Sequence, residues 1–169
     1  MSLRGSGWLG FGSLIKAYRH VGFSPDRDYR FIEINRHLRT LRSPFEADVI
    51  QQLEQFGARI TRHEATGQLL INGEYTTQIV FSRCQQTPTG TLRWFIDLDD
   101  PTAADITIVV RMDMANHSPT DFYLLPRIDV RPLRLHLGEH NGLALDVYRR
   151  KTLNAFVALA ARDSIEVAG

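Results

Sequence analysis

Apolar residues recur at helical spacing over the first third of the chain. Residues 12–42 predict two helices around the turn at Gly22–Pro25, and the apolar side of the second helix is formed by Phe31, Ile34, Leu38 and Leu41. Residues 43–57 predict a further helix that begins with Ser43 as the N-cap and Pro44 at the first position, and stops at Gly57. Glu46 falls on its apolar side, where a Ser-x-x-Glu capping box accounts for it.

From residue 58 onward apolar and polar residues alternate, and an apolar residue at every second position is typical of strands. The pair Asn72-Gly73 predicts a tight hairpin. Residues 74–84 and 91–99 are predicted to pair as antiparallel neighbours around the turn at 85–90, burying Trp94. Further strands are predicted at 105–113, 121–126 and in the region 134–142, and residues 143–163 predict a closing helix.

The order of these elements predicts an α+β, or mixed α/β, fold. An N-terminal helical hairpin precedes a mostly antiparallel or mixed sheet of about six strands, flanked by helices. We expect two parts, a basic arm with the hairpin at residues 1–43 and a mixed α/β core with the C-terminal helix at 44–169.

Composition adds an expectation about compartment. The chain of 169 residues contains one cysteine, Cys84, so it forms no internal disulfide. It shows no apolar run long enough to span a membrane and no secretory signal at its start. These features predict a cytoplasmic protein without a membrane partner.

The charge is unevenly distributed. Residues 1–43 hold eight Lys or Arg against three Asp or Glu, whereas the remainder is net acidic. A basic end suggests a surface that faces a polyanion such as DNA, and arginine suits phosphate oxygens. The candidate nucleic-acid contacts are Arg19, Arg30, Arg36 and Arg39. An ordinary solvated face on a packing hairpin remains the alternative.

The helix at 43–57, the hairpin and the strands up to residue 130 together resemble the restriction-endonuclease-like, or PD-(D/E)XK, superfamily. Glu46, Leu53 and Gly57 fit that family's helix pattern of Glu-x(6)-Leu-x(3)-Gly. The resemblance implies an endonuclease-like fold and a magnesium site built from hard oxygen ligands. It also implies DNA as substrate, with Glu46 and Arg83 as the candidate catalytic residues.

The chain departs from the pattern at the other positions of this metal site. Where the family has an aspartate on its second strand, Gln68 or Glu74 is the nearest substitute. Phe81 and Arg83 stand where the family's Glu/Asp-x-Lys would be, and arginine cannot serve as a proton carrier because its guanidinium does not release its proton. The resemblance therefore implies a domain that lacks the standard catalytic set.

A displaced metal site is the alternative, formed by the densest acidic cluster in the chain. Its candidate ligands are Asp97, Asp99 and Asp105, which would bind magnesium if the protein is catalytic. The same residues also suit a strand edge that runs into a turn.

Three functions follow from the sequence. The first is a DNA-associated domain of endonuclease-like fold without standard metal-dependent cleavage, in a restriction, recombination or mobile-element system with protein partners. The second is an active magnesium-dependent DNA endonuclease with a rearranged acidic site. The third is a protein-interaction domain that is not an enzyme.

Overall fold

The computed structural model describes residues 26–97, 104–130 and 134–162, with side chains from residue 31 onward. The chain divides into two compact units, Met1–Thr40 and Leu41–Gly169. The predicted first helix of the hairpin lies outside the described residues. No helix in the described part of the chain is long and apolar enough to cross a membrane.

The first described element is one helix of 30 residues, α1 (Asp26–Gln55). The expected break at Ser43 is wrong, because Pro44 lies inside the helix. Proline removes one helical hydrogen bond and crowds the preceding turn, which usually ends a helix. Here packing holds the helix on the sheet, since the ring of Phe45 lies 5.3 Å from Phe81 and 6.1 Å from Phe122.

The end of α1 is the predicted one. Ala58 donates its backbone N–H to Leu53 O at 3.1 Å and Gly57 donates to Glu54 O at 3.0 Å, while Gly57 adopts φ 86°. These bonds satisfy carbonyls that the last helical turn leaves open. A side chain at residue 57 would also collide with the backbone carbonyl of Arg162. Position 57 therefore requires glycine for two independent reasons.

We expect Gly57→Ala to lower the free energy of unfolding by about 2 kcal/mol or more, because alanine disfavours positive φ and meets the Arg162 carbonyl. Urea denaturation measures this change. Gly67→Ala is the matched control, since Gly67 also has positive φ but has open space around it. Equal losses in the two variants would show that the contact with residue 162 contributes nothing.

The larger sheet has six strands in the order β1-β2-β3-β6-β7-β9, mostly antiparallel, with β3 and β6 parallel. Its strands are β1 (Ile60–Arg62), β2 (Leu69–Ile71), β3 (Tyr75–Ser82), β6 (Ile106–Met112), β7 (Pro119–Pro126) and β9 (Arg149–Arg150). The hairpin predicted at Asn72-Gly73 joins β2 to β3, and both turn residues have positive φ, 56° and 68°. The mixed α+β class is confirmed.

A second sheet of three strands has the order β4-β5-β8, formed by β4 (Cys84–Gln86), β5 (Leu92–Asp97) and β8 (Arg134–Leu137). The hairpin predicted around residues 85–90 is confirmed for β4 and β5, and Trp94 is buried. The expectation is wrong for β3, because this strand belongs to the larger sheet. Apolar residues of both sheets form one core, which includes Trp94, Ile96, Val109, Tyr123 and Leu137.

The closing helix predicted at 143–163 is also wrong. Two short helices, α2 (Leu143–Asp146) and α3 (Asn154–Ala160), flank the edge strand β9. Strand β7 is the cause: Arg149 and Arg150 pair with its residues Tyr123 and Phe122. Pairing with an open sheet edge outweighs the helical preference of this segment.

Candidate functional site

A small recess lies where α1 crosses the β2–β3 hairpin. Its volume is about 40 Å³, and the residues used below line it: Arg42, Glu46, Gly67, Gln68, Thr77 and Gln78. A volume of this size holds roughly three water molecules, at about 10–15 Å³ each. The recess can therefore accept an ion or a group the size of one phosphoryl.

Glu46 projects from α1 into this recess and forms an ion pair with Arg62 of β1. Only 13% of the Glu46 side chain is exposed, against 53% of Arg62. Arg62 also donates from Nη1 to the carbonyl of Gly67 at 2.9 Å. The expected capping role of Glu46 is wrong because the helix does not begin there. Its carboxylate is instead held at the sheet by a guanidinium.

Strands β2 and β3 supply the remaining polar groups. Gln68, directly before β2, is buried, and Gln78 on β3 donates from Nε2 to Thr107 Oγ1 at 2.9 Å. The side chain of Thr77 is fully buried, and its hydroxyl has no hydrogen-bond partner among the described residues. These groups are neutral, so Glu46 and Arg42 are the charged residues that line the recess.

The predicted catalytic pair is not brought together at this recess. Arg83 follows β3, is half-buried and is not among the residues that line the recess. Burial lowers the pKa of its guanidinium. The β3 residues that line the recess with Glu46 are Thr77, Gln78 and Ile79, whereas Phe81 and Arg83 do not line it. Phe81 packs against Phe45 instead.

The recess does not fit the magnesium ion that the family resemblance implies. Magnesium prefers carboxylate and other hard oxygen ligands in octahedral geometry. Glu46 is the single carboxylate lining this recess, and Arg62 already neutralises it. Across the described residues, no group of three or more His, Cys, Asp and Glu side chains is placed to hold a metal.

The displaced acidic site stays a prediction, because Asp99 lies outside the described residues. Asp97 ends β5 and lies 3.8 Å from Arg134 in an exposed ion pair. Asp105 accepts hydrogen bonds from the backbone N–H of Thr76 at 2.9 Å and from its hydroxyl at 3.2 Å. Both described aspartates therefore already have partners that serve the fold.

The candidate nucleic-acid contacts are described in part. Arg36 and Arg39 are exposed on α1. Among the described residues, neither arginine forms an ion pair. Arg19 lies outside the described residues, as does the side chain of Arg30.

Arg111 of β6 forms the most buried charged cluster of the described residues, which the sequence interpretation missed. Its Nε and Nη2 donate to the two carboxylate oxygens of Asp121 at 2.6 Å each, and its Nη1 donates to Gly138 O. The guanidinium lies 4.3 Å from the Trp94 ring centroid and 5.0 Å from that of Tyr123.

This cluster stabilises the core and offers no open face to a ligand, since both charged side chains are at most 3% exposed. Burial disfavours the charged guanidinium, but the hydrogen bonds that it donates to Asp121, together with the attraction of that carboxylate, outweigh the effect of burial, so the pKa of Arg111 is raised. The sequence signal was an arginine placed directly after three apolar residues of a strand, Ile108, Val109 and Val110.

Cys84 is a buried residue at the start of β4. Its backbone N–H donates to Asn116 Oδ1 at 2.6 Å, and Asn116 Nδ2 donates back to Cys84 O at 3.1 Å. Burial raises the pKa of the thiol, which keeps it protonated and poorly nucleophilic.

No protein-family model and no curated protein matches the sequence. Among solved structures, the chain is similar to a bacterial homing endonuclease, I-Ssp6803I, at 12% sequence identity. The similarity covers 68% of this chain and 87% of that chain, with a TM-score of 0.41. A likeness of this degree assigns neither fold nor function.

Proposed function

We propose that this protein is a DNA-associated domain that binds the phosphate backbone and lacks standard metal-dependent cleavage. The observation that supports this proposal is that Arg36 and Arg39 are exposed on α1. Neither forms an ion pair with an acidic side chain in the described part of the chain. Free, exposed guanidinium groups are available to an external anion.

The spacing of these arginines suits a phosphate backbone. Residues three apart on a helix are neighbours, with Cβ atoms about 5–6 Å apart. Two guanidinium groups on one face can contact phosphates without penetrating a groove, so binding would depend little on sequence. The net charge of residues 1–43, eight basic against three acidic, adds attraction at longer range.

Replacing both arginines tests this proposal. In Arg36→Gln/Arg39→Gln, we expect weaker binding to a labelled DNA duplex, measured by fluorescence anisotropy over a salt series. Three to five phosphate contacts imply a slope of log affinity against log salt of roughly −3 to −4.5, and losing two contacts reduces its magnitude by about 1.8. Glutamine keeps the helix and removes only the charge.

The charge-matched control is Arg59→Gln/Lys151→Gln, because both residues are exposed and neither side chain has a partner in the described structure. This control should lower affinity less and leave the slope nearly unchanged. If the Arg36/Arg39 variant binds DNA like the wild type, DNA association through α1 is wrong. A protein-interaction domain would then be the better proposal.

The second candidate, an active endonuclease with a rearranged acidic site, would use Glu46, whose buried carboxylate lies beside the β2–β3 hairpin, and would require a metal ion to displace Arg62 from it. Incubation of supercoiled plasmid with magnesium, with and without EDTA, distinguishes the two functions. We expect no nicking above a protein-free control. Nicking that EDTA abolishes, and that Glu46→Gln removes, would establish the enzyme instead.

A further inference from the structure

We propose that the Glu46 recess binds a phosphoryl group without a metal ion, with the guanidinium groups of Arg62 and Arg42 supplying the positive charge. This rests on the proposed function and names a second point of contact with the nucleic-acid backbone, separate from Arg36 and Arg39. The ligand chemistry is that of a phosphate monoanion or phosphodiester.

Charge favours an anion at this recess. Arg42 lines it, and Arg62 binds two of its wall residues, Glu46 and Gly67. Two guanidinium groups against one carboxylate leave one net positive charge. A divalent cation would be repelled by this charge, whereas a phosphate oxygen would be attracted. Arg42 has no ion-pair partner within the described part of the chain.

The structure holds Arg62 in place for such a contact. One end of its guanidinium is fixed to the Gly67 carbonyl and the other to the Glu46 carboxylate. A guanidinium carries five N–H donors and these two contacts use two of them, while the Arg62 side chain stays 53% exposed and accessible to an anion. Because the side chain is already ordered, little rotamer freedom is lost when an anion binds.

The hydroxyl of Thr77 is a second observation that supports an anion at the recess. Its side chain lines the recess, is fully buried, and its hydroxyl has no hydrogen-bond partner among the described residues. An unpaired buried hydroxyl costs stability unless a ligand meets it. As a donor, it suits a phosphate oxygen. The volume of about 40 Å³ suits the non-bridging oxygens of one phosphoryl group, with the remainder of the ligand outside.

Thermal denaturation with inorganic phosphate in EDTA, against chloride at equal ionic strength, tests the site. Phosphate should raise the melting temperature of the wild type and of the control Arg59→Gln equally. Arg42→Gln should weaken phosphate binding about tenfold, and Thr77→Val should lower the phosphate-dependent shift. Without phosphate, Thr77→Val should melt at a higher temperature, because it removes the unpaired hydroxyl.

The effect of Glu46→Gln on phosphate affinity distinguishes an anion site from a metal site, because the two predict changes of opposite sign. Glutamine still accepts a hydrogen bond from Arg62 but removes the negative charge, so phosphate should bind several-fold more tightly. A metal site would respond in the opposite direction. Magnesium alone raising the melting temperature of the wild type, with loss of this shift in Glu46→Gln, would overturn the proposal.

A DNA arm identifies the source of the phosphoryl group. With a duplex in EDTA, Arg42→Gln should reduce the magnitude of the salt slope by about 0.9, one phosphate contact. If Arg42→Gln changes duplex binding but inorganic phosphate does not stabilise the protein, the recess binds a phosphodiester. If both effects are seen, the recess binds a phosphodiester and free phosphate alike. If neither responds, the recess is not a phosphate site. The Arg36→Gln/Arg39→Gln result is independent of this outcome. The experiments therefore distinguish failure of DNA binding through α1 from failure of phosphoryl binding at the recess.

Discussion

Asp121→Ala is expected to lower the free energy of unfolding by about 3–5 kcal/mol, the range for removing one partner of a buried ion pair. Asp121 accepts two hydrogen bonds from Arg111 and one, at 2.7 Å, from Arg149. Its removal leaves the Arg111 guanidinium charged between two aromatic rings, with a buried positive charge that has lost its carboxylate. Urea denaturation, analysed for midpoint and slope, measures the loss.

Asp97→Ala is the control for this variant. Asp97 of β5 also pairs with an arginine, Arg134 of β8, at 3.8 Å. Both of these side chains are about half exposed or more. Exposed pairs of this kind contribute at most about 1 kcal/mol. Similar losses in the two variants would mean that the Arg111–Asp121 pair is not buried as the structure has it.

The periodicity of the sequence predicts elements well wherever one face is buried. In β5, Trp94 and Ile96 are buried while Arg93 and Phe95 are exposed, as the alternation indicates. The hairpin turn at Asn72-Gly73 and the helix end at Gly57 could also be predicted. Each position requires a positive φ, which few residue types adopt.

Pairing over long distances could not be predicted in the same way. Strand β3 pairs in parallel with β6, so that Thr77 lies beside Ile106, and the chain forms two strands of the other sheet between them. Alternation specifies which face a residue occupies but not which strand lies next to it. The antiparallel partner expected for all of residues 74–84 was wrong for this reason.

Local signals also failed where tertiary packing decides. Ser43-Pro44 is a strong signal for the start of a helix, yet α1 continues through it, with Phe45 packed on two aromatic rings. Arg149 and Arg150 have helix-compatible neighbours, yet they extend the edge of β7. In each case, contacts distant in sequence outweigh a local preference.

The candidate site was predictable at Glu46 and, through the family resemblance, at Gln68. A carboxylate on the apolar side of a helix is unusual, and this signal was present in the sequence. Arg62 and Thr77 carry no comparable signal, since each is an ordinary residue of a β-hairpin region. Their association with Glu46 depends on how β1, β2 and β3 pair beneath α1.

The most informative core position is Trp94, and Trp94→Ala is expected to lower the free energy of unfolding by about 3–5 kcal/mol. The side chain is 4% exposed, and its Nε1 donates to Met112 O at 2.9 Å. Alanine would leave a cavity between the two sheets and an unpaired backbone carbonyl. A loss below about 1 kcal/mol in urea denaturation would contradict this burial.

Trp94→Phe separates the ring from the hydrogen bond, because phenylalanine keeps most of the apolar volume and lacks the N–H. We expect a smaller loss, about 1–2 kcal/mol, from the unsatisfied Met112 carbonyl. Because Arg111 lies over the Trp94 ring, Trp94→Ala and Asp121→Ala should not be additive, with an interaction free energy of about 0.5–3 kcal/mol. Strict additivity would show that the ring and the ion pair stabilise the inter-sheet core independently, and that the stacking of Arg111 on Trp94 contributes nothing.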